Sequence, residues 1–334
     1  MIKSIITGLG YYLPENVVTN DDLAQMIDTN DQWITERTGI KERRWIEPGT
    51  DTTSSMGIKA ATMAIKNAKI DKNEIDFIIF ATLSPDYYFP GPGVQVQEAL
   101  ALDTVGALDV RNQCSGFVYA LSVADQYIKS GMYKNILVIG SEHHSAGLEK
   151  TDRGRGVTVI FGDGAGAAVV SATEEEGRGI LSTHLHSEGK HAKELALISP
   201  ATQHWVDKII EDNNPDDTSY FPYMNGNFVF KHAVTRFPQV IMEALQQNNL
   251  QPSDLKVLIP HQANLRIAQF VQKTMQLRDE QVYNNIQKYG NTTAASIPIA
   301  LAEAYENGMI EKGDLVCLAA FGSGFTWASA LIRW

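Results

Sequence analysis

The chain repeats itself once, and that limits what it can fold into. The stretch CSGFVYALSVADQYIKSGMYKNILVIGSE, starting at Cys114, is echoed by NTTAASIPIALAEAYENGMIEKGDLVCLAAFGSG, starting at Asn291. Each has a helical run ending in Gly-Met, a short charged turn and an apolar strand-like run. Gly131 and Gly308 lie 177 residues apart, and the same offset sets Cys114 against Asn291. Upstream, EIDFIIFATLS pairs with DLKVLIPHQAN at an offset of 180, which puts His261 opposite Ala81. Repeats of this size mean two copies of one supersecondary unit. Two such halves face each other across a pseudo-twofold axis and present corresponding loops to a shared cleft.

Within this frame, strand-like runs alternate with amphipathic ones. Strands are expected at 77–83, 135–141, 157–161, 165–171, 255–260 and 315–321. Helices are expected at 52–68, 93–101, 115–130, 231–248, 262–275 and 294–307. Such alternation predicts a layered α/β architecture. The polar SATEEEGRG places the boundary near 173, giving halves 1–173 and 174–334. The segment 198–225 has no clear period and reads as an insertion or a cap over the site.

Composition excludes several classes. The 334 residues carry a formal net charge of −11, which argues against general nucleic-acid binding. No stretch has the roughly 18 to 20 consecutive apolar residues of a membrane span, and the N-terminus reads as no signal peptide. Two cysteines, Cys114 and Cys317, leave no disulfide framework or Cys-rich zinc site. A free Cys114 fits a reducing cytoplasm. Arg37, Lys41, Arg43 and Arg44 form one basic cluster and Arg153 and Arg155 another; charge alone makes both solvated faces.

The candidate chemistry lies in three places. Cys114 follows strand-like ALDV and opens a helical run, where the dipole and free amides lower a thiol's pKa. His261 follows the strand KVLIP, at the end where α/β sites form. Asn291 sits between Tyr289-Gly290 and Thr292-Thr293. Each has a bland reading on its own, as inert core thiol, structural histidine or helix cap; together with the repeat they read as one site. FGDGAGAAVV at 161–170 lies between apolar strands rather than opening a helix, so it is read as a tight core turn and not a dinucleotide loop. FGSGFTWASALI at 321–332 is a second glycine turn, whose amides suit an oxyanion hole. His143 and His144 in EHHS lack helix-face spacing, so no metal site is read there; Cys317 alternates with apolar neighbours and belongs to the core.

Together, LPENVVTN, DQWITERTGIKERR, DRGRGVTVIFGDGAGAAV, HLHSEG, MNGNFVFKHAV, PHQANLRI, YGNTTAASIP and FGSGFTW resemble the β-ketoacyl-acyl carrier protein synthase III family of the thiolase-like superfamily, nearly end to end. The resemblance implies a duplicated five-layer α-β-α-β-α fold and a homodimer. It implies no cofactor beyond the coenzyme A thioester that is the substrate. Cys114 would take an acyl group from an acyl-CoA, with the amides of Cys114 and Ser323 holding the oxyanion. His261 and Asn291 would donate to the thioester oxygen of malonyl-acyl carrier protein during decarboxylation and Claisen condensation. Trp33, Arg37, Thr38 and Arg153 match residues that grip the nucleotide of CoA. Gly226, Phe230 and Asn264 match the pantetheine tunnel, and Phe89 matches a residue reaching the partner subunit's acyl pocket. Lys231, Arg266 and Lys273 match the patch that docks the carrier protein.

The chain departs from the family pattern in four places. Gln113 and Ser115 flank the nucleophile where the family has small residues, Ser323 stands where many members have Gly, FPGPG replaces the usual continuation after Phe89, and 198–225 is long. A specialised paralogue with a longer or aryl primer therefore stays open beside an initiator of fatty acid synthesis. A thiolase would need a second catalytic cysteine. A hydroxymethylglutaryl-CoA synthase would need a glutamate before the nucleophile, where 81–92 offers only Asp86. A non-catalytic acyl-binding subunit would have lost Cys, His or Asn.

Overall fold

Alternation along the strands builds two sheets with a buried layer between them. In the computed structural model, which describes residues 2–202 and 216–334, the first sheet runs Lys3–Tyr12, Gly164–Thr173, Asn135–Glu142, Phe77–Ala81, Gly106–Val110. The second runs Gly179–Ser187, Thr326–Arg333, Leu315–Gly322, Val257–Pro260. Both have the same pairing sequence: two antiparallel contacts, then a parallel one. The first sheet adds a further parallel strand, and at that place the second has the single bridge Leu258–Val282.

Every strand in the middle of these sheets is apolar on both faces, because both faces are covered. Phe77, Ile79, Ile136 and Val138 point inward with Val316, Leu318 and Ala320 of the other sheet. Between them lie the helices Gly116–Lys129 and Ser296–Glu306. Ile78, Phe80, Leu137 and Ile139 point outward under Thr53–Ala68 and Pro92–Ala99. Leu258, Cys317, Ala319 and Leu331 point outward under Gly226–Gln247 and Leu265–Thr274. The result is the five-layer α-β-α-β-α fold. Ser296–Glu306 is buried almost all round, which its small and aliphatic side chains allow.

The structure corrects four expectations. The offset that governs the repeat is 180 at the two strands that flank each central helix, Phe77–Ala81 against Val257–Pro260 and Asn135–Glu142 against Leu315–Gly322. The helix starts Gly116 and Ser296 keep the same spacing. Gln113 and Thr293, both at positive φ (45° and 49°), keep it too. Cys114 is therefore the counterpart of Ala294, and Asn291 lies one helical turn earlier. The 177 spacing holds only at the helix ends, because Ser296–Glu306 is three residues shorter and the turn after it is longer. Second, 157–161 is no strand: Arg155–Thr158 is a helical turn, and Phe161 makes one bridge, to Asn291. Its apolar residues are buried by packing on Leu23, Ile34 and Trp45, which mimics a strand in sequence. Third, Gly164–Thr173 is a ten-residue strand, so only the start of FGDGAGAAVV is a turn. Fourth, Arg43 is not solvated: it is wholly buried, and its guanidinium donates to the carbonyls of Val18 (3.1 Å) and Val159 (2.9 Å).

Of the 198–225 segment, residues 203–215 lie outside the described residues. Its base is closed: Leu195–Ala196 pairs antiparallel with Tyr223–Met224, and Ser199 accepts from Ser219.

A close approach locks the two sheets around the central helices. A Cβ on Gly140 would lie 2.4 Å from the Ala294 carbonyl oxygen. Gly140→Ala is expected to lower unfolding stability by about 1–3 kcal/mol through overpacking, read as a lower urea midpoint. An unchanged midpoint would mean that this contact does not constrain the layer.

Candidate active site

Cys114 sits in the 3-10 turn Gln113–Ser115 that leads into Gly116–Lys129. Its position is fixed from three sides. A Cβ on Gly116 would meet Ala81 at 3.2 Å and Ala294 at 3.4 Å. Ser115 Oγ donates to the Thr326 carbonyl (3.2 Å) and accepts from Thr326 Oγ1 (3.2 Å), tying this turn to the second glycine turn. A Cβ on Gly322 would be 2.8 Å from the Cys114 sulfur, so only glycine leaves the thiol room.

Only 5% of Cys114 is exposed. Burial pushes its thiol up to about 12; the Glu142 carboxylate adds to the rise, and the N–H groups of Ser323 and Cys114 itself oppose it. This reverses the sequence expectation of a thiol acidified by a helix start, since desolvation outweighs the local dipole. The two opposing amides point at the sulfur, where an acyl oxygen bonded through it would lie. Ser323 Oγ donates to the Leu195 carbonyl (2.5 Å), which holds the turn.

His261 caps the strand Val257–Pro260, and its own N–H donates to the Ala319 carbonyl (2.8 Å). Nδ1 is 2.7 Å from Ser296 Oγ, while Nε2 is buried with no partner among the described residues. Burial lowers its pKa to about 3, so the ring is neutral across the physiological range. A Ser296 hydroxyl that donates to Nδ1 would put the ring's one proton on Nε2, free to donate.

Asn291 is held by its backbone: its N–H donates to Ile160 (2.9 Å) and its carbonyl accepts from Gly162 (3.1 Å). Its Oδ1 accepts from the Thr293 N–H (2.9 Å), which leaves the amide NH2 as the end with no partner among the described residues. The crossing is braced by Arg43 on Val159 and by Trp45 Nε1 on the Phe161 carbonyl (3.0 Å). His144, partly buried and held well below its usual pKa by desolvation, contacts Thr293 and packs on Phe161.

One cavity of about 360 Å³ joins these groups. Cys114, His261 and Asn291 line it together with Trp33, Arg37, Thr38, Gly226, Phe230, Asn264 and Arg266. Asn264 caps the Leu265–Thr274 helix through its Oδ1 and donates from Nδ2 to the Arg37 carbonyl (2.9 Å). Arg153 does not line the cavity; it pairs with Glu149. Arg155 instead lies over the Trp33 ring (4.9 Å), as does Arg37 (4.5 Å). Phe89 is 76% exposed and away from the cavity within one chain. Lys231, Arg266 and Lys273 are exposed on two adjoining helices, with no ion pair among the described residues. Cys317 is core, as expected.

The 3-oxoacyl-[acyl-carrier-protein] synthase III profile matches residues 108–189, and its C-terminal counterpart matches 245–334. The chain belongs to the β-ketoacyl-[acyl-carrier-protein] synthase III family. It is 44% identical to the Rhodospirillum centenum synthase III over 100% of this chain and 99% of that one. It is 47% identical to the Escherichia coli K12 synthase III over 98% of each. The crystal structure of the Aquifex aeolicus synthase III superposes with a TM-score of 0.90 at 42% identity, covering 99% of this chain and 100% of that one.

In this synthase III chain, sequence reasoning missed Ser296, Gly322, Arg155 and Glu142. Glu142 is a wholly buried carboxyl pushed up to about 7 by burial, accepting from Ser84 Oγ (2.6 Å), Thr82 Oγ1 (3.1 Å) and the Leu83 N–H. EHHS carried its signal, a charged residue ending an apolar strand, but the motif was weighed only as a metal site and, with that set aside, Glu142 was given no role.

A thiol raised to about 12 is protonated at neutral pH. Alkylation of Cys114 by iodoacetamide should therefore rise roughly tenfold per pH unit from pH 7 to 9 with no plateau, since the thiolate is the nucleophile. A plateau beginning near pH 7 would show a preformed thiolate.

Proposed function

We propose that Cys114 is the acyl acceptor and that His261 and Asn291 stabilise the carbanion that extends the acyl group. The chain carries out the decarboxylative Claisen condensation of an acyl-CoA primer with malonyl-acyl carrier protein that initiates fatty acid synthesis. The observation that carries the division of roles is the unpartnered Nε2 of a buried, neutral His261 in the same cavity as the thiol.

In the first half-reaction the Cys114 sulfur attacks the primer's thioester carbon. The tetrahedral oxyanion lies against the N–H groups of Cys114 and Ser323. Collapse expels the CoA thiol, which leaves with the proton that Cys114 gives up. In the second, the malonyl thioester oxygen accepts from His261 Nε2–H and the Asn291 amide. The bond to the carboxylate breaks, CO2 departs and an enolate remains. Two neutral donors hold its negative oxygen without delivering a proton to carbon. Its carbon attacks the acyl-Cys114 carbonyl, forming the 3-oxoacyl thioester on the carrier protein and releasing the Cys114 thiolate, which takes a proton from solvent. None of these steps calls on a resident cofactor or a metal.

Trp33, Arg37 and Thr38 would grip the nucleotide of CoA. Arg155 replaces Arg153 in that role, because it shares the Trp33 ring with Arg37. Gly226, Phe230 and Asn264 would line the pantetheine path. Lys231, Arg266 and Lys273 offer an acidic carrier protein a local basic face on a chain that is acidic overall. A homodimer would cover the exposed Tyr87, Phe89 and Val94 and carry Phe89 to the partner's acyl pocket. We also place the boundary between the two related halves near residue 173, where the first sheet's Gly164–Thr173 strand ends. Two reduced, buried cysteines suit a cytoplasmic setting, and no helix among the described residues is long and apolar enough to cross a membrane.

Incubation with acetyl-, hexanoyl-, decanoyl- and benzoyl-CoA, followed by intact and peptide mass measurement, tests the reading. One acyl group is expected on the peptide carrying Cys114, and none on Cys114→Ala. Label on another residue, or persistence in Cys114→Ala, would refute the assignment. The preferred chain length separates an initiator of fatty acid synthesis from a specialised paralogue.

A further inference from the structure

Glu188, His191 and His232 place three potential ligand atoms within 4.8 Å of one another, and none of the three lines the cavity that Cys114, His261 and Asn291 share. Glu188 and His191 come from the loop after the Gly179–Ser187 strand, and His232 comes from the second turn of Gly226–Gln247. We propose that these three side chains bind a divalent transition-metal ion of the zinc class, which clamps the loop to the helix.

The donor set fits. Two borderline imidazoles and one harder carboxylate form a donor set that Zn²⁺ accepts, and three protein ligands leave a fourth position for water. His191 Nε2 is buried without a hydrogen-bond partner among the described residues, 3.9 Å from Glu188 Oε2. A lone buried ring nitrogen beside a carboxylate and a second imidazole is an unfilled acceptor or donor site. A different group nearby shows the contrast. His184 and His186 are both joined to Glu243, at 3.3 and 2.6 Å, and those histidines are satisfied by protein alone.

The surroundings position the ligands. The His191 ring packs on His232 (4.7 Å), Phe228 (4.9 Å) and Phe325 (5.4 Å). Glu188 is held by a two-way backbone pair with Phe325, at 2.8 and 3.0 Å. Lys190 takes one oxygen of Glu188 (2.6 Å) and Arg236 the other (3.2 Å). Each carboxylate oxygen has two lone-pair directions, so both remain open to a further bond. At Zn–N and Zn–O distances of about 2.0–2.2 Å, tetrahedral ligand atoms sit about 3.4 Å apart. The partly exposed side chains need to close by little more than an ångström to reach that spacing.

The clamp would touch catalysis at one remove. The same loop continues to Leu195, which lines the cavity and accepts the Ser323 hydroxyl. Phe325 lies two residues past Ser323, whose N–H faces the thiol. A metal joining Glu188 and His191 to His232 would fix the cavity wall and the glycine turn together.

The test is calorimetric titration of the full chain, stripped with chelator, with ZnCl2 alone. The wild type is expected to bind one equivalent at micromolar concentration and to gain thermal stability. His191→Ala and His232→Ala are each expected to weaken binding roughly tenfold or more, and neither should melt higher with Zn²⁺. Glu188→Gln, which keeps the shape, should weaken it too. Cys114→Ser should bind as the wild type does. Circular-dichroism melts without metal establish that each variant is folded, and Co²⁺ absorption bands of tetrahedral coordination provide a second readout. No binding below millimolar zinc, unchanged binding in both histidine variants, or loss of binding in Cys114→Ser would overturn the proposal.

Discussion

Everything at the site hangs from the contact between two small residues, Gly116 and Ala294. They let the starts of the two central helices meet between the sheets: a Cβ on Gly116 would already stand 3.4 Å from that of Ala294. Gly140 repeats the condition from the sheet side, against the Ala294 carbonyl. Bulk at any of these places would separate the two helix starts. Cys114 precedes one of them and Asn291 precedes the other, so their mutual position is a packing result rather than a loop conformation. Interiors at this density do not deform continuously, which is how a covalent nucleophile and a donor from opposite halves hold their places.

Burial also sets the chemistry. The same desolvation that keeps His261 neutral keeps the Cys114 thiol protonated. A neutral histidine serves the second half-reaction, where an imidazolium would protonate the carbanion. A protonated thiol hinders the first, and the two amides aimed at the sulfur offset part of that. Glu142 adds a buried carboxyl close enough to raise the thiol further, while bracing Leu83 and Ser84 and accepting from the Ala294 N–H at the second helix start. It links the loop after one strand to the start of the opposite helix, a positioning role that composition does not reveal.

Much of this was legible in the chain. The repeat announced two related sheets, and the apolar runs at 77–83, 135–141 and 315–321 became the central strands because covered strands lack polar alternation. Cys114, His261 and Asn291 stood out by residue type next to glycine, proline or a strand end. What was not legible was register and orientation. The Gly-Met pairs gave an offset of 177 because they mark helix ends, whereas the strands before and after the central helices keep 180. VTVIF read as a strand because β-branched residues buried under a helical turn have the same composition. Arg43 read as surface because sequence gives no sign of the Val18 and Val159 carbonyls that satisfy it. Arg155 was passed over for Arg153 because two arginines two positions apart cannot be assigned to Trp33 without coordinates. Ser296 lies within YGNTTAASIP, but its contact with His261 joins residues 35 apart and shows only in the fold.

The central claim is that thiol acylation and enolate stabilisation are separate tasks of separate groups. It is tested by single-turnover measurement of the two half-reactions in His261→Ala and Asn291→Ala. The account predicts acyl transfer from primer CoA to Cys114 near the wild-type rate, with malonyl decarboxylation slowed roughly 100-fold or more in each variant. Equal loss of both half-reactions, or decarboxylation that survives either change, would contradict it.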